Sequence, residues 1–247
     1  MNCNTMNAHA RDGFLHFDEA AHRYTLHGRE LKSVTTMVQE AFPEFNAPYW
    51  AARKAPDLHI TPEELMARWE ATAAEARRLG TEMHSRIERY YLGETGVTDD
   101  GDAMANFRSF ASCYRLNPFR TEWRIYHEEY GVAGTLDFLD LTDDRYTIWD
   151  WKRSVKLVDP TTGQPRLPGR FTATGTHPHL SHVPDTSFYH YALQLSVYRI
   201  ILQEKYGIEV DGQYLGVFHP ANPRYYVMPV PFMRAEALAL MQSHPNP

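Results

Sequence analysis

The sequence predicts an α/β fold in which a mixed, largely antiparallel central sheet is flanked by helices. Three strand-like runs follow one another in the middle of the chain, and long helical patterns lie before and after them. Successive strands joined by short connections favour an antiparallel meander. The 247 residues, 43% of them hydrophobic, are enough to bury a sizeable core. Because no internal repeat or clear boundary divides the chain, a single domain over residues 1–247 is expected.

The composition excludes several classes of protein. No run approaches the roughly 18 apolar residues of a membrane span, and residues 1–11 lack a signal-peptide core. An intracellular, cytoplasmic location without membrane association is therefore expected. Cys3 and Cys113 are too few for a four-cysteine zinc or iron–sulfur site.

Charge gives a mixed indication about nucleic acid. The formal net charge of −6 argues against broad affinity for phosphate backbones. Basic residues nevertheless cluster locally, which keeps a local binding track open. The clusters are Arg77, Arg78, Arg86 and Arg89, and then Lys152, Arg153, Lys156, Arg166 and Arg170.

The N-terminal residues, to about position 60, are predicted to be scaffold. Residues 14–18 and 23–27 have the pattern of a short hairpin, and residues 31–42 have that of a helix. Tyr49 and Trp50 follow in a stretch with several prolines, where they can contact nucleic-acid bases or pack within the protein. Packing is favoured for both.

A long helix is predicted next. It begins at a capping box formed by Thr61 and Glu64 and runs to the stop signal at Gly93. His84 and Glu88 are four residues apart on it and therefore share a face. A helical histidine is more often a surface or hydrogen-bonded residue than a ligand, so the spacing alone does not assign a metal to His84.

The centre of the chain has the pattern of a hairpin. Residues 132–141 and 146–153 are rich in apolar, β-branched and aromatic residues, and a short polar turn separates them. Residues 99–116 are a helix candidate, and residues 121–127 form a strand that leads into the hairpin and carries Glu122 as an additional acid. These three strands make up the predicted meander.

Two acids and a lysine are predicted to converge on this hairpin. A turn centred between positions 143 and 144 places Asp137 opposite Asp150, with Cβ atoms about 4.5–5.5 Å apart. Carboxylates that close repel each other unless a cation lies between them or one is protonated. Alternation puts Lys152 on the face of Asp150 and turns Trp149 and Trp151 away. The alternative is an exposed sheet face on which Lys152 pairs with Asp150.

Residues 154–185 are predicted to be a long loop, since they contain many Pro, Gly and Thr residues and little periodicity. Loops of more than about 12–15 residues are usually functional or disordered, and a mobile cover over a substrate channel is favoured. His177, His179 and His182 lie within it, but no cysteine or acid has zinc-site spacing to them. A zinc hydrolase is therefore disfavoured.

The last part of the chain is predicted to contain a helix and two strands. The helix covers residues 187–206, and the strands cover residues 213–219 and 225–230. Gln194 and Tyr198 are four residues apart on the helix. A purely structural helix explains its apolar residues well but explains this polar pair less well.

Four short motifs occur in an order that is typical of one enzyme family. They are Gly-Thr-Glu-Met-His at 80–84, Gly-Thr-Leu-Asp at 134–137, Asp-Trp-Lys at 150–152 and Gln-Leu-Ser-Val-Tyr at 194–198. Together they resemble the motifs of the RecB-like branch of the PD-(D/E)XK nucleases. The N-terminal segment resembles, more loosely, phage-type members and the mitochondrial genome maintenance exonuclease. The chain lacks the four cysteines of the iron–sulfur members.

The resemblance implies a restriction-endonuclease-like core and a metal site. His84, Asp137 and Asp150 would be metal ligands, and the Trp151 carbonyl would be a fourth. Asp137, Asp150 and Lys152 would form the catalytic set. Oxygen ligands suit Mg²⁺ or Mn²⁺, and the histidine nitrogen favours Mn²⁺.

The resemblance also implies contacts with DNA. Gln194 and Tyr198 would lie beside the DNA path, and the local arginine clusters add Arg86 and Arg153 as expected DNA contacts. Glu88 and Glu122 match less distinctive family positions, so their roles are left open.

The expected function is that of a metal-dependent DNA exonuclease that acts at DNA ends in recombination, repair or processing. The expected partner is DNA with single-stranded or frayed ends, together with a recombination or single-strand-binding protein. Two alternatives remain open: a structure-selective endonuclease, and a non-catalytic DNA-binding accessory of recombination or packaging.

Overall fold

The computed structural model describes residues 2–99, 101–166, 168–170 and 172–243, which form an eight-stranded sheet flanked by helices. The strands follow the order β1-β2-β3-β5-β6-β7-β8, and β4 pairs with β5. The pairings of β3 with β5 and of β6 with β7 are parallel, and the others among these residues are antiparallel. The predicted α/β class with a mixed, largely antiparallel sheet is confirmed. The strands are β1 Leu15–Asp18, β2 Arg23–Leu26, β3 Arg29–Ser33, β4 Pro118–His127, β5 Val132–Thr142, β6 Arg145–Lys152, β7 Val210–Val217 and β8 Tyr226–Pro229.

Two groups of helices pack against the sheet. One buried cluster joins α2, α6 and α7 to the strands, and a second, largely aromatic cluster joins α4 and α5 to β5 and β6. None of the helices in the described residues combines the length and apolar character that crossing a membrane requires. The α-helices are α1 Cys3–Met6, α2 Val34–Glu40, α3 Ala47–Lys54, α4 Pro62–Tyr91, α5 Ala105–Cys113, α6 Ser187–Lys205 and α7 Arg234–Ser243.

The central hairpin has the predicted register. Thr142 pairs with Arg145, and Phe138 pairs with Trp149. Asp143 and Asp144 form the turn with φ values of 52° and 58°, the left-handed conformation of both central residues in a two-residue hairpin turn. Asp tolerates this conformation better than most residues because its short side chain can hydrogen-bond locally.

Helix α4 is 30 residues long and therefore extends about 45 Å. The predicted capping box is present: the Thr61 hydroxyl accepts from the Glu64 backbone, and the Glu64 carboxylate accepts from the Thr61 backbone. Met83 and Ile87 are buried in the aromatic cluster, which holds the C-terminal half of the helix against the sheet. His84 lies between these two anchors in the sequence.

Several predicted elements differ from the observed ones. Residues 29–33 form strand β3, so the helix predicted for 31–42 begins only after its N-cap, Ser33. The helix predicted for 99–116 is shorter, because a 3-10 turn over Gly101–Met104 precedes α5. The expected packing of Tyr49 and Trp50 is wrong: they are 49% and 40% exposed, and the buried side chain of α3 is that of Ala51.

The described residues of the 154–185 segment pack into the protein. Leu157, Val158, Leu180 and Val183 are buried in the cluster that also contains α2, α6 and α7. The Thr176 backbone N–H donates to the carbonyl of Ala41 at the end of α2, over 2.8 Å. Apolar anchors along the segment therefore hold it against the core.

Candidate metal centre

A fork in the sheet creates the candidate site. On one edge of β5, Ala133 pairs with β3, and Phe138 pairs with β6. No strand of the described residues covers the edge between these two positions. Strand β6 leaves β5 here because it continues along β7 as far as the pairing of Lys152 with Val217.

The carboxylate of Asp137 occupies this fork. The backbone N–H of Trp151 donates to Asp137 Oδ2 over 2.8 Å, which satisfies a donor that the separating strands leave without a ladder partner. Asp137 is almost completely buried, and burial raises the pKa of its carboxyl group. The fork thus concentrates a negative charge in a poorly hydrated position.

His84, Glu122 and Asp137 come together around this position. One ligand atom from each residue lies within 4.8 Å of the others. His84 Nδ1 is 3.5 Å from Asp137 Oδ2 and 3.7 Å from Glu122 Oε1. Among the histidine, cysteine and acidic side chains of the described residues, these three are close enough together to hold a metal ion. Glu122, which the sequence left open, is therefore a central member.

The backbone of Glu122 is strained. Thr121 pairs with Phe138 and Trp123 pairs with Leu136, so Glu122 lies opposite Asp137 across the two strands. Its φ of 45° is in the left-handed region, which costs a non-glycine residue on the order of 1–3 kcal/mol. Such strain persists where the surroundings impose it and is frequent at functional sites.

His84 is oriented by the backbone of β6. Its Nε2 lies 2.8 Å from the Trp151 carbonyl oxygen, which can only accept, so Nε2 carries the proton and Nδ1 faces the acids. Burial alone lowers the pKa of His84, but the negative charges of Asp137 and Glu122 outweigh it and raise the pKa to about 9. The Trp151 carbonyl, predicted as a fourth ligand, accepts the hydrogen bond of His84 in this arrangement.

Asp150 and Lys152 form a buried ion pair beside this cluster. Lys152 Nζ lies 2.7 Å from Asp150 Oδ2 and 4.2 Å from the centroid of the Tyr191 ring. Burial raises the pKa of Asp150 to about 6, although the charge of Lys152 opposes the shift. The same ion pair outweighs the effect of burial on Lys152 and raises its pKa. The pair was expected on an exposed sheet face in the alternative interpretation, and its burial contradicts that setting.

The metal cluster and the Asp150–Lys152 pair line one cleft of about 850 Å³. Gln194 and Tyr198 of α6 also line it, and Gln194 Nε2 donates to the Tyr198 hydroxyl over 3.4 Å. The Tyr198 ring lies so close to β5 that a Cβ on Gly134 would be 2.6 Å from Tyr198 Cε1. Gly134 therefore permits the approach of α6 to the fork. Glu88 lines the cleft as well, and burial raises its pKa.

The structure does not place every predicted contact at the cleft. Arg86 donates to Glu82 Oε1 over 2.7 Å, and neither Arg86 nor Arg153 is among the lining residues. None of the described residues of the 154–185 segment lines the cleft either, so the expected cover over a channel is wrong for those residues. His182 of that segment pairs with Glu236 over 3.0 Å instead.

One wall of the cleft is not predicted by the sequence. The sequence predicts that the N-terminal hairpin is scaffold, yet several of its residues line the cleft. The missed lining residues include Phe17, His22, Tyr24, Thr35, Arg124 and Thr135. The only available signal was alternation within short strands, which does not reveal the partner strands.

Comparisons with known proteins do not identify the chain. No protein-family model matches it, and none of the curated proteins does. Among the solved structures that match, the crystal structure of SSO0001 is 14% identical with a TM-score of 0.38, covering 86% of this chain and 74% of that chain. A likeness at this level carries no argument about function, which must come from the site itself.

Proposed function

We propose that the protein is a metal-dependent nuclease that hydrolyses phosphodiester bonds at the ends of DNA. The observation that carries this proposal is the convergence of His84, Glu122 and Asp137 beside the buried Asp150–Lys152 pair. The four-motif resemblance to RecB-like nucleases supports the same assignment. A fork that buries acidic side chains at one point is expensive for a purely structural element.

The residues present fit a divalent cation. Two carboxylates and one imidazole nitrogen converge, and Asp150 lines the same cleft as a further oxygen donor. This donor set suits Mg²⁺ or Mn²⁺, with the nitrogen favouring Mn²⁺. His84, Glu122 and Asp137 would hold the ion. When bound, the ion supplies positive charge to the phosphate and lowers the pKa of a coordinated water.

Lys152 provides the second element of the chemistry. Asp150 and the Tyr191 ring hold its ammonium group in place, so the charge is preorganised before substrate arrives. A fixed positive charge in a poorly hydrated cleft stabilises the negative charge that develops during phosphodiester hydrolysis. The raised pKa of Lys152 keeps it protonated for this role.

Gln194 and Tyr198 are proposed to position the substrate. Their hydrogen bond fixes the amide and the phenol relative to each other on the α6 side of the cleft. Correct placement of the reacting phosphate is worth a large part of the catalytic effect in such reactions. Such contacts are made to the DNA backbone rather than to the bases, so little sequence preference is expected.

A structure-selective endonuclease is the second candidate. It is favoured by one observation: none of the described residues of the 154–185 segment lines the cleft. These residues therefore do not require a DNA strand to enter the cleft by its free end. The non-catalytic accessory is disfavoured, because an accessory has no need for a buried lysine–carboxylate pair next to a ligand cluster.

End-labelled DNA distinguishes these functions. Linear and closed circular DNA, each single- and double-stranded, would be incubated with Mg²⁺, Mn²⁺ or EDTA. Metal-dependent loss of linear strands with survival of circles is expected for the exonuclease. Cutting of closed circles would favour the endonuclease, and binding without cleavage under every metal condition would favour the accessory. The same assay applied to Asp137→Asn tests the metal centre. Asp143→Asn, in the exposed hairpin turn, is its matched control.

A further inference from the structure

We propose that the β1–β2 hairpin and Arg124 form a subsite for one unpaired nucleobase next to the metal centre. The proposal rests on the proposed nuclease function and specifies its substrate class. The hairpin residues Phe17, His22 and Tyr24 line the same cleft as Asp137, and none of them belongs to the metal cluster or to the Asp150–Lys152 pair.

Strand register brings the hairpin to the site. Phe17 pairs with Tyr24 across β1 and β2, and Tyr24 pairs with Leu31 of β3. Strand β3 then pairs in parallel with the start of β5. Tyr24 and Leu31 consequently share a buried cluster with Ala133 of β5, so the aromatic face of the hairpin continues onto the strand that carries Asp137.

The subsite lies close to the metal centre. The Tyr24 hydroxyl and Thr135 Oγ1 form a hydrogen bond of 2.9 Å. Thr135 precedes Asp137 by two residues on β5, which corresponds to roughly 7 Å along an extended strand. A base held against the hairpin is therefore within one or two nucleotides of a phosphate at the centre.

The wall has the chemistry of a base-stacking site, in which the partly exposed Phe17 ring offers the stacking surface and the buried Tyr24 ring supports it. The ring centroids of Phe17 and Tyr24 are 4.5 Å apart, and the His22 ring meets Phe17 edge-on at 5.2 Å. The Arg124 guanidinium lies 5.2 Å from the Phe17 centroid, and 45% of its side chain is exposed. Aromatic faces with a neighbouring guanidinium bind bases and phosphates of single strands without sequence preference.

Two features bear on the strength of this wall. His22 holds a left-handed φ of 49° at the hairpin turn, a conformation that few non-glycine residues adopt. Glu19 lines the cleft and lies 3.8 Å from Arg124, which partly neutralises the guanidinium. Stacking rather than charge is therefore the main contribution expected from this wall.

The geometry selects an unpaired base. A base inside a duplex has both faces covered by its stacked neighbours and must be unstacked before it can contact Phe17. A single strand or a frayed end offers an uncovered face at much lower cost. The subsite therefore assigns the preference to single-stranded ends, through a contact that the motifs of the sequence did not indicate.

Abasic scanning tests the subsite by binding alone. A fluorescein-labelled oligothymidylate and copies with one abasic site at each position in turn would be titrated with the full chain in Ca²⁺, which limits turnover. In the wild type, an abasic site at one position should weaken binding about 5- to 100-fold, the scale of one base–aromatic stack. Phe17→Ala should weaken binding of the intact strand by a similar factor and remove that position-specific penalty. Phe17→Leu, which keeps apolar bulk, should lose most of the penalty.

Phe14→Ala is the matched control, because Phe14 is an exposed aromatic next to β1 that does not line the cleft. Its titrations should match the wild type. A position-specific penalty that persists in Phe17→Leu, or no such penalty in the wild type, overturns the subsite. If the subsite is overturned but the protein still cleaves DNA in a metal-dependent way, the proposed nuclease function is retained. Phe17-dependent binding without any cleavage overturns the nuclease function and keeps the subsite.

Discussion

The backbone N–H of Trp151 donates to Asp137 Oδ2 over 2.8 Å, across the point where β5 and β6 separate. The same carboxylate oxygen lies 3.5 Å from His84 Nδ1. The other ring nitrogen of His84, Nε2, donates to the backbone carbonyl of Trp151 over 2.8 Å. Asp137 therefore binds the backbone N–H of Trp151, and His84 binds its backbone carbonyl. The backbone of β6 therefore orients two candidate ligands that lie on other elements, Asp137 on β5 and His84 on α4.

Two substitutions separate the structural and chemical roles of Asp137. Asp137→Asn keeps an oxygen that can accept the Trp151 N–H, so its free energy of unfolding should stay close to that of the wild type while metal-dependent cleavage is lost. Asp137→Ala leaves a buried N–H without an acceptor and should cost a further 1–3 kcal/mol or so. Urea unfolding and cleavage of end-labelled DNA measure the two effects. Asp143→Asn should change neither, and near-normal cleavage by Asp137→Asn would refute the centre.

Metal binding should release a proton from His84. The metal-free imidazole has a pKa raised to about 9, so it is charged near neutral pH, whereas a ligand imidazole must be neutral at the coordinating nitrogen. Calorimetric titration with Mn²⁺ in buffers of different ionisation enthalpy should show release of about one proton per ion. His84→Gln should bind Mn²⁺ more weakly and release almost none. Equal proton release by this variant would assign the proton to another group.

The same shift gives a pH dependence of the metal-free fold. A folded pKa of about 9 lies above the unfolded value of about 6.5. The contribution of His84 to stability is therefore fully present below the unfolded pKa and is lost as pH rises through the folded pKa. Urea unfolding in EDTA should show this loss, and His84→Gln should reduce it.

Lys152 and Asp150 should behave as a coupled pair. Lys152→Met leaves the Asp150 carboxylate buried without its partner, which typically costs about 3–5 kcal/mol. The double variant Lys152→Met/Asp150→Asn should recover much of this stability, because neither charge remains. Both variants should lose at least about 100-fold in cleavage rate, the scale of one electrostatic stabiliser. Additive stability changes in a double-mutant cycle would contradict the coupling.

Gly134 should be required for the close approach of Tyr198. A methyl group at this position would lie 2.6 Å from Tyr198 Cε1 and 2.7 Å from its hydroxyl oxygen. Gly134→Ala should therefore destabilise the fold by about 1–3 kcal/mol, the usual cost of overpacking. In urea unfolding, the double variant Gly134→Ala/Tyr198→Leu should be more stable than Gly134→Ala alone. Gly13→Ala is the control, because nothing lies within 4 Å of its would-be Cβ.

Local patterns predicted the parts of the fold that depend on neighbouring residues. The register of the central hairpin follows from its turn, and the start of α4 follows from Thr61 and Glu64. Long-range pairing produced the rest. Glu122 reaches the centre because β4 lies beside β5 and its backbone is strained, and Phe17 reaches the cleft because β3 pairs with β5. The predicted meander already places β4 beside β5, but nothing in the sequence indicates the strained backbone at Glu122 or the pairing of β3 with β5.

The described residues of the 154–185 segment form the predicted irregular loop, with a 3-10 turn at Pro178–Leu180, but not the predicted cover over the cleft. The lack of periodicity in residues 154–185 favours a mobile cover. Four apolar residues, Leu157, Val158, Leu180 and Val183, nevertheless anchor the described part of the segment in the core. Irregular segments can be well packed when a few side chains are buried, and such anchors leave no periodic signature.

Binding of polynucleotide should depend on a divalent cation even without turnover. Glu19, Glu88, Glu122, Asp137 and Asp150 line the cleft, against the cationic side chains of Arg124 and Lys152 and two histidines. This excess of carboxylates repels phosphate, and juxtaposed like charges cost several kcal/mol. At constant ionic strength, Ca²⁺ should therefore tighten binding of labelled oligothymidylate at least about tenfold relative to EDTA.

Glu88→Gln removes one charge from the cleft wall, so it should bind more tightly than the wild type in EDTA and still respond to Ca²⁺. Glu94→Gln, which alters an exposed acid paired with Arg89, should behave as the wild type in both conditions. Loss of the Ca²⁺ response in Glu88→Gln would make Glu88 a ligand, and equal wild-type affinity in Ca²⁺ and EDTA would show that the strand binds outside this cleft.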